Sequence, residues 1–179
     1  MDDEFFDLVD EGDRVVGRAR RREVHARGLR HRAIHVLVFD PLGRVYLQKR
    51  SMTKDVAPGV WDSSCSGHVG SGETYDQAAV RELREELGIS LESPPARWFR
   101  AGAGPETGGE FVWVYRMTHD DPVRPNPDEI ERGEWVEPAQ VDARISSRPG
   151  EFSGAFRFLW ARSRQSGGGI LSSKGASST

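Results

Sequence analysis

Glu82, Glu85 and Glu86 stand at i, i+3 and i+4. On an α-helix this spacing puts three carboxylates on one face, within about one turn of each other. Like charges so close together destabilise a helix unless something neutralises them. A hard divalent cation does this through oxygen ligands, and Mg²⁺ is the natural candidate. The residues before the triad fit the same chemistry. Gly67, Gly70 and Gly72 let the backbone bend tightly and approach an ion or a phosphate closely. Arg81, one residue before the triad, is placed to pair with Glu73 and brace that turn against the helix.

The helix that carries the triad needs a start, an end and a buried face. Thr74 and Ser71 are both candidate N-caps. Gly88 is placed to end the helix as a left-handed C′ residue. Val80, Leu83 and Leu87 fall on a face adjacent to the carboxylates and can pack on a sheet. Arg32–Phe39 is the clearest strand of such a sheet. Ala33, His35, Leu37 and Phe39 alternate with Ile34, Val36 and Val38, and both sets are largely apolar, which predicts a central strand covered on both faces. Asp40–Arg44 reads as a turn and Val45–Lys49 as the returning strand of a hairpin. Strands are also expected at Arg97–Ala103, Glu110–Met117 and Glu129–Val136, with a short edge strand near Glu4–Asp10 and its partner at Arg14–Gly17. Helices are expected at Pro138–Ile145 and Gly154–Arg162. Phe156, Leu159 and Trp160 form an apolar stripe on the last helix that reads as core. The class is therefore α/β in the α+β sense, a mixed β-sheet sandwiched between α-helices.

The 179 residues favour a single folded domain. Its expected extent is 31–165, with an N-terminal extension (1–30) packed on or near the core and a disordered Gly/Ser-rich tail (166–179). Hydrophobic residues make up 36% and charged residues 30% of the chain, and the net charge is −3, which gives no global pull toward nucleic acid or an acidic membrane. Residues 18–32 are dense in arginine, and a basic rim for a phosphorylated substrate and a merely solvated face are equally good readings of them. No aromatic residues are interleaved for stacking on a nucleic-acid polymer. Cys65 is the sole cysteine, so no intrachain disulfide forms. No apolar run reaches the roughly 20 residues a membrane helix needs, and the N-terminus is acidic where a signal peptide is basic and then apolar. A cytoplasmic location is expected.

Gly67, Glu73 and the run Arg81-Glu82-Leu83-Arg84-Glu85-Glu86-Leu87-Gly88-Ile89, with their spacing, resemble the Nudix box, and every fixed position of that motif is filled. The resemblance implies the Nudix fold and hydrolysis, with Mg²⁺ or Mn²⁺, of a small-molecule diphosphate linked to another moiety. It implies that Glu82, Glu85 and Glu86, with the carbonyl of Gly67, hold the metal. It also makes Glu85, Glu82, Glu86 and Arg81 the candidate catalytic group. Glu85 is the first choice for the general base, with Asp128 and Glu129 as loop alternatives.

Residues 25–68 further resemble type I isopentenyl-diphosphate isomerase, which shares this fold. Arg50 and Lys54, before Pro58-Gly59-Val60-Trp61, match a segment that grips the substrate diphosphate there. His25, His31, His68 and Glu110 match residues that hold the isomerase's metal, and imidazoles suit a transition metal. Taken singly, each histidine is more often a core or surface residue. The match breaks at three places. Ser66 stands where the isomerase has a catalytic cysteine, and Cys65, one residue earlier, is turned to the opposite face of a strand. Gly108 stands where a second glutamate ligand belongs. The box, incomplete in the isomerase, is whole here. Hydrolysis is the favoured expectation, with isomerisation and a non-catalytic diphosphate-binding regulator as alternatives. Whether the N-terminal residues cover the pocket or support a homodimer stays open.

Overall fold

The structure is a computed structural model, and residues 4–166 are described. Beyond Ser166, the tail expected at 166–179 lies outside the described residues. The centre of the sheet is β3 (His31–Phe39), buried at all positions but Arg32. It pairs in parallel along its whole length with β8 (Glu110–Thr118). β7 (Ala96–Ala101) lies antiparallel on the far side of β8. On the other side of β3, β6 (Cys65–His68) pairs antiparallel with Ala33–Val36.

The hairpin expected from Asp40–Arg44 is present only at its root. β4 (Val45–Arg50) pairs with β3 at Phe39↔Val45 alone. The reason is competition for an edge, because β6 occupies the side of β3 that a zipped hairpin would use. β4 instead splays away and pairs antiparallel with β5 (Trp61–Asp62) and β9 (Ile130–Val136). The mixed sheet is thus split into two wings joined at one residue pair.

The alternation along β3 sorts the core into two layers. Ile34, Val36 and Val38 pack with Ala78, Ala79, Leu83 and Leu87 of α2 (Tyr75–Leu87). Ala33, Leu37 and Phe39 pack with Val141 of α3 (Pro138–Ser147) and with Phe156, Leu159 and Trp160 of α4 (Gly154–Ser166). The sheet is therefore covered on both faces, as its apolar alternation predicts. Leu83 and Leu87 are fully buried, each contributing roughly 1.5–3 kcal/mol by leaving water. That burial fixes which way the carboxylate face of α2 points. None of the helices in the described residues is long and apolar enough to cross a membrane.

The N-terminal residues form the hairpin β1 (Phe5–Val9) and β2 (Val15–Arg20), followed by the short helix α1 (Arg21–Arg27). The sequence does not announce α1, whose one buried residue, Val24, leaves no apolar period to read. Gly28 ends it in the left-handed region at φ 60°. The arginines of this stretch work largely inside the chain. Arg21 pairs with Glu4 and Asp55, Arg27 with Glu23, Arg30 with Glu11 and Arg32 with Asp13. Arg18 and Arg20 lie over the Phe5 ring. The hairpin turn is tied to the rest of the chain through Asp13, whose carboxylate accepts from Arg32 Nε (2.6 Å), Tyr75 Oη (2.9 Å) and Arg100 Nη2 (2.7 Å).

Candidate functional site

Two neighbouring clusters of polar side chains meet at β6, one on each face of that strand. The first is built by α2. Of the two candidate N-caps, Thr74 is used. Its hydroxyl accepts from Gln77 N while Gln77 Oε1 accepts from Thr74 N, a capping box. Gly88 closes the helix at φ 67°. Just before the helix, the turn Gly70–Glu73 is clamped twice. Glu73 Oε2 accepts from Gly70 N at 2.9 Å, and Asp7 of β1 accepts from Ser71 Oγ and Gly72 N at 2.6 and 3.0 Å.

The expected Glu73–Arg81 brace is present and bidentate, at 2.9 Å through Nε and through Nη2. Arg81 also donates to His68 O (3.0 Å), Glu82 Oε1 (2.6 Å) and Glu85 Oε2 (3.2 Å). Burial would raise the Glu73 carboxyl, but Arg81 and the Gly70 amide outweigh it and hold Glu73 below the usual carboxylate range.

Glu82 and Glu86 point inward and Glu85 outward. Glu86 is 2% exposed. Its Oε2 accepts from Gln48 Nε2 at 3.0 Å and Ser66 N at 3.2 Å, and Lys54 Nζ stands 3.8 Å from its Oε1. Burial raises the Glu86 carboxyl against the pull of Lys54 and these donors. Burial, followed by the neighbouring Glu86 charge, pushes Glu82 up to about 7. Burial thus holds both carboxyls toward the neutral form, against the pull of Arg81 on Glu82 and of Lys54 on Glu86. Gly67 explains how they come so near the strand. A Cβ on Gly67 would lie 2.1 Å from Glu82 Oε1 and 2.2 Å from its Cδ. Gly67→Ala therefore evicts the Glu82 carboxylate, and Mn²⁺ affinity measured by titration calorimetry is expected to fall at least about tenfold, the loss typical of a displaced ligand support.

The end of β4 and the loop that follows it carry the two expected diphosphate-gripping cations, and their placements differ. Lys54 reaches the carboxylates and forms a close ion pair with Glu129 Oε2. Arg50 is turned into the loop itself. Its Nε and Nη2 donate to the carbonyls of Val56 and Ala57, and its Nη1 lies 3.6 Å from Asp62 Oδ2. Of the two loop carboxylates considered, Glu129 lies beside Lys54. The backbone carbonyl of Asp128 accepts from Thr53 Oγ1 at 3.3 Å and so helps hold the loop.

The second cluster is on the opposite face. His25 of α1, His31 at the start of β3 and His68 of β6 bring ring nitrogens within 4.8 Å of one another. His25 Nε2 and His68 Nε2 are 3.3 Å apart, and Glu110 Oε1 is 3.1 Å from His68 Nε2 and 3.3 Å from His31 Nε2. His31 Nδ1 lies 2.8 Å from the Leu29 carbonyl, which only accepts, so the proton of the neutral ring sits on Nδ1. His31 Nε2 faces the cluster, buried and 3.3 Å from Glu110 Oε1. Burial would raise Glu110, yet His31 and His68 hold it well below the usual range. The structure thus brings His25, His31, His68 and Glu110 together. Phe6, fully buried, closes it from β1 by stacking on His31 and His68 at 5.4 and 4.7 Å. Phe6 is a contributor that sequence reading missed, since one aromatic on an edge strand carries no signal of its own.

β6 explains how the two clusters stay separate. Its register with β3 sets Ser66 opposite His35 and Cys65 opposite Val36. Cys65 is fully buried in the α2 layer with Ile34 and Val36. Burial and the nearby Glu86 raise its thiol well above the ordinary value. Ser66 and His68 share the other face. A surface depression of about 900 Å³ runs along α2 past Gln77, Val80 and Arg84 and touches none of Glu82, Glu85 and Glu86. It is not where these groups meet.

The fold and the first cluster define an α+β sandwich in which a glycine turn and a capped helix press buried carboxylates against the sheet. The model of the NUDIX domain family matches residues 29–156, and the chain belongs to that family. It is 41% identical over 145 residues to an uncharacterized Nudix hydrolase of Streptomyces coelicolor, covering 80% of each chain. It is also 37% identical over 152 residues to an isopentenyl-diphosphate Δ-isomerase of Nocardia farcinica, covering 82% of this chain and 87% of the relative. The crystal structure of the DR0079 protein of Deinococcus radiodurans superposes with a TM-score of 0.78 at 31% identity, covering 89% of this chain and 98% of the other. Relatives named for hydrolysis and for isomerisation thus lie at similar distances, and the choice between them rests on the site.

Proposed function

We propose that the chain is a Mg²⁺- or Mn²⁺-dependent hydrolase of a small molecule whose diphosphate is linked to another moiety. The observation that supports it most is the buried Glu82–Glu86 pair against Gly67, because an all-oxygen, doubly acidic donor set suits a hard divalent cation. Glu82, Glu86 and the Gly67 carbonyl would hold the ion, which when bound neutralises diphosphate charge and makes water a better nucleophile. Lys54 offers an ammonium to the diphosphate beside these groups. Arg50 holds the loop that presents Lys54. Glu85, with a side chain 49% exposed and next to the ion-holding pair, is the general base in this reading, and Glu129 is the alternative. His25, His31, His68 and Glu110 would hold a second, transition-metal ion, because three imidazole nitrogens and a carboxylate suit that class.

Isomerisation is the second reading, favoured by the histidine cluster and by the relatives that bear that name. Against it stands the orientation of β6. The thiol faces the α2 layer, and the residue on the histidine face is a serine, a much weaker acid than a thiol. A regulator that binds a diphosphate without turnover is the third reading, which a whole box disfavours.

One assay separates them. The protein with Mg²⁺ or Mn²⁺ is given isopentenyl diphosphate and a panel of nucleoside-diphosphate compounds, and both the phosphate products of hydrolysis (phosphomonoesters or free phosphate, together termed phosphate release) and dimethylallyl diphosphate are followed. Phosphate release is expected. Dimethylallyl product without phosphate overturns the proposal, and tight binding without turnover under either metal favours the regulator. Cys65→Ala sharpens the result. A buried, inert thiol predicts phosphate release within about twofold of the parent, whereas an isomerase depending on Cys65 loses its product.

A further inference from the structure

Gln48 is a polar side chain at a fully buried position of β4. Its neighbours Val45 and Leu47 lie in the α3/α4 layer and Tyr46 in the α2 layer, so by alternation Gln48 extends on the Tyr46 side, toward α2. There its Nε2 donates to Glu86 Oε2 at 3.0 Å. That bond fixes the amide, because the reverse orientation would set its oxygen against a carboxylate. The amide oxygen, Oε1, is consequently left buried with no donor from the protein. Buried acceptors without a partner are rare and costly. This one belongs to a side chain whose other end holds the most deeply buried carboxylate of the box helix.

We infer that Gln48 is a positioning residue of the carboxylate site. Through Nε2 it orients Glu86, and through its free Oε1 it accepts from a water in the hydration shell of the divalent cation that Glu82 and Glu86 would hold. The inference rests on the proposed metal dependence. Gln48 lies outside the box, so the motif does not announce it, and its one sequence signal is an amide at an inward position of an apolar strand. A hard divalent cation such as Mg²⁺ keeps several of its waters, and a buried acceptor beside a ligating carboxylate fixes one of them. Groups in this outer position typically change metal affinity 10- to 100-fold.

The test is Mn²⁺ binding to the full chain by titration calorimetry, together with water-proton relaxation by the bound Mn²⁺. The parent is compared with Gln48→Met, Gln48→Asn and Glu86→Gln. Methionine keeps the length of glutamine and removes both polar atoms. Asparagine keeps the amide and draws it back from Glu86, and it decides the matter if the methionine variant does not fold. Both variants are expected to bind Mn²⁺ about 10- to 100-fold more weakly and to change the relaxation enhancement per bound ion. A purely structural glutamine would lower the melting temperature and leave both readouts at the parent values. If Gln48→Met binds as the parent does while Glu86→Gln has lost binding, the role of Gln48 is overturned and the metal site stands. If Glu86→Gln also binds as the parent does, the metal site falls, and the role of Gln48 with it.

Discussion

Glu86→Gln is expected to lower phosphate release at least about a thousandfold, roughly 4 kcal/mol of barrier, while the protein stays folded. The substitution keeps the side-chain volume, so the packing of Leu83 and Leu87 beneath it is untouched. What it removes is the charge of a carboxylate that is 2% exposed and fastened by Gln48 Nε2 and Ser66 N. Those donors are as important as the carboxylate itself. A flexible glutamate on a surface helix gives an ion one ligand of many orientations, whereas a carboxylate held by two fixed donors offers a direction. The neighbour responds as well. Glu82 is pushed up to about 7 by its own burial and then by the charge of Glu86, so a neutral residue at 86 lets Glu82 ionise more readily. Glu82 alone then leaves the site with half its inward charge. Phosphate release under saturating Mg²⁺, set beside circular dichroism and the melting temperature, checks the expectation. Turnover within tenfold of the parent in a folded Glu86→Gln variant would show that these carboxylates are not the seat of the chemistry.

The parts of this site that could be read from the chain are those where local and tertiary demands coincide. α2 carries a cap, a carboxylate face, an apolar face and a terminal glycine in register, and each is found where expected except Val80, which lines a surface depression while Ala78 and Ala79 join Leu83 and Leu87 against the sheet. The Glu73–Arg81 brace follows from charge and spacing along the same segment. β3 announces its burial because both of its faces are apolar. The rest depends on which distant segment wins an edge or fills a gap. The β3–β4 turn was legible, but not that β6 would take the edge of β3 and send β4 away to β9. α1 has one buried anchor and stays hidden in a run of arginines, although it delivers His25 to the histidine cluster. Arg50 matched a diphosphate-gripping position by sequence, yet three of its hydrogen bonds go to loop carbonyls. Such bonds leave no trace in the spacing of residues. The one-residue offset between Cys65 and Ser66 was legible for the opposite reason, because strand alternation turns a shift of one into a change of face.

Arg81→Leu is expected to cost about 3 kcal/mol of stability, the lower end of what breaking a buried ion pair costs, and to abolish phosphate release. Arg81 is the junction at which the turn, the helix and β6 are joined. Its guanidinium holds Glu73 of the turn through two parallel bonds, donates to Glu82 and Glu85 through Nη1, and donates to the His68 carbonyl of β6. The side chain is 28% exposed, so solvent relieves part of the loss and the lower end of the range applies. Leucine keeps some of the packing and leaves three carboxylates and one carbonyl without their common donor. For a chain of this length a loss of that size lowers the melting temperature by roughly 6–12 °C. Arg81→Lys separates charge from geometry. An ammonium restores one positive charge but cannot span Glu73 bidentately while also reaching Glu82 and His68 O. Lysine is therefore expected to recover part of the melting temperature and little of the turnover. Equal recovery of both would mean that Arg81 acts only as a counter-charge. A melting temperature within about 2 °C of the parent for Arg81→Leu would mean that the turn is held by its other clamp, Asp7 on Ser71 and Gly72. In that case the N-terminal hairpin, rather than the arginine, positions the glycine turn over the carboxylates.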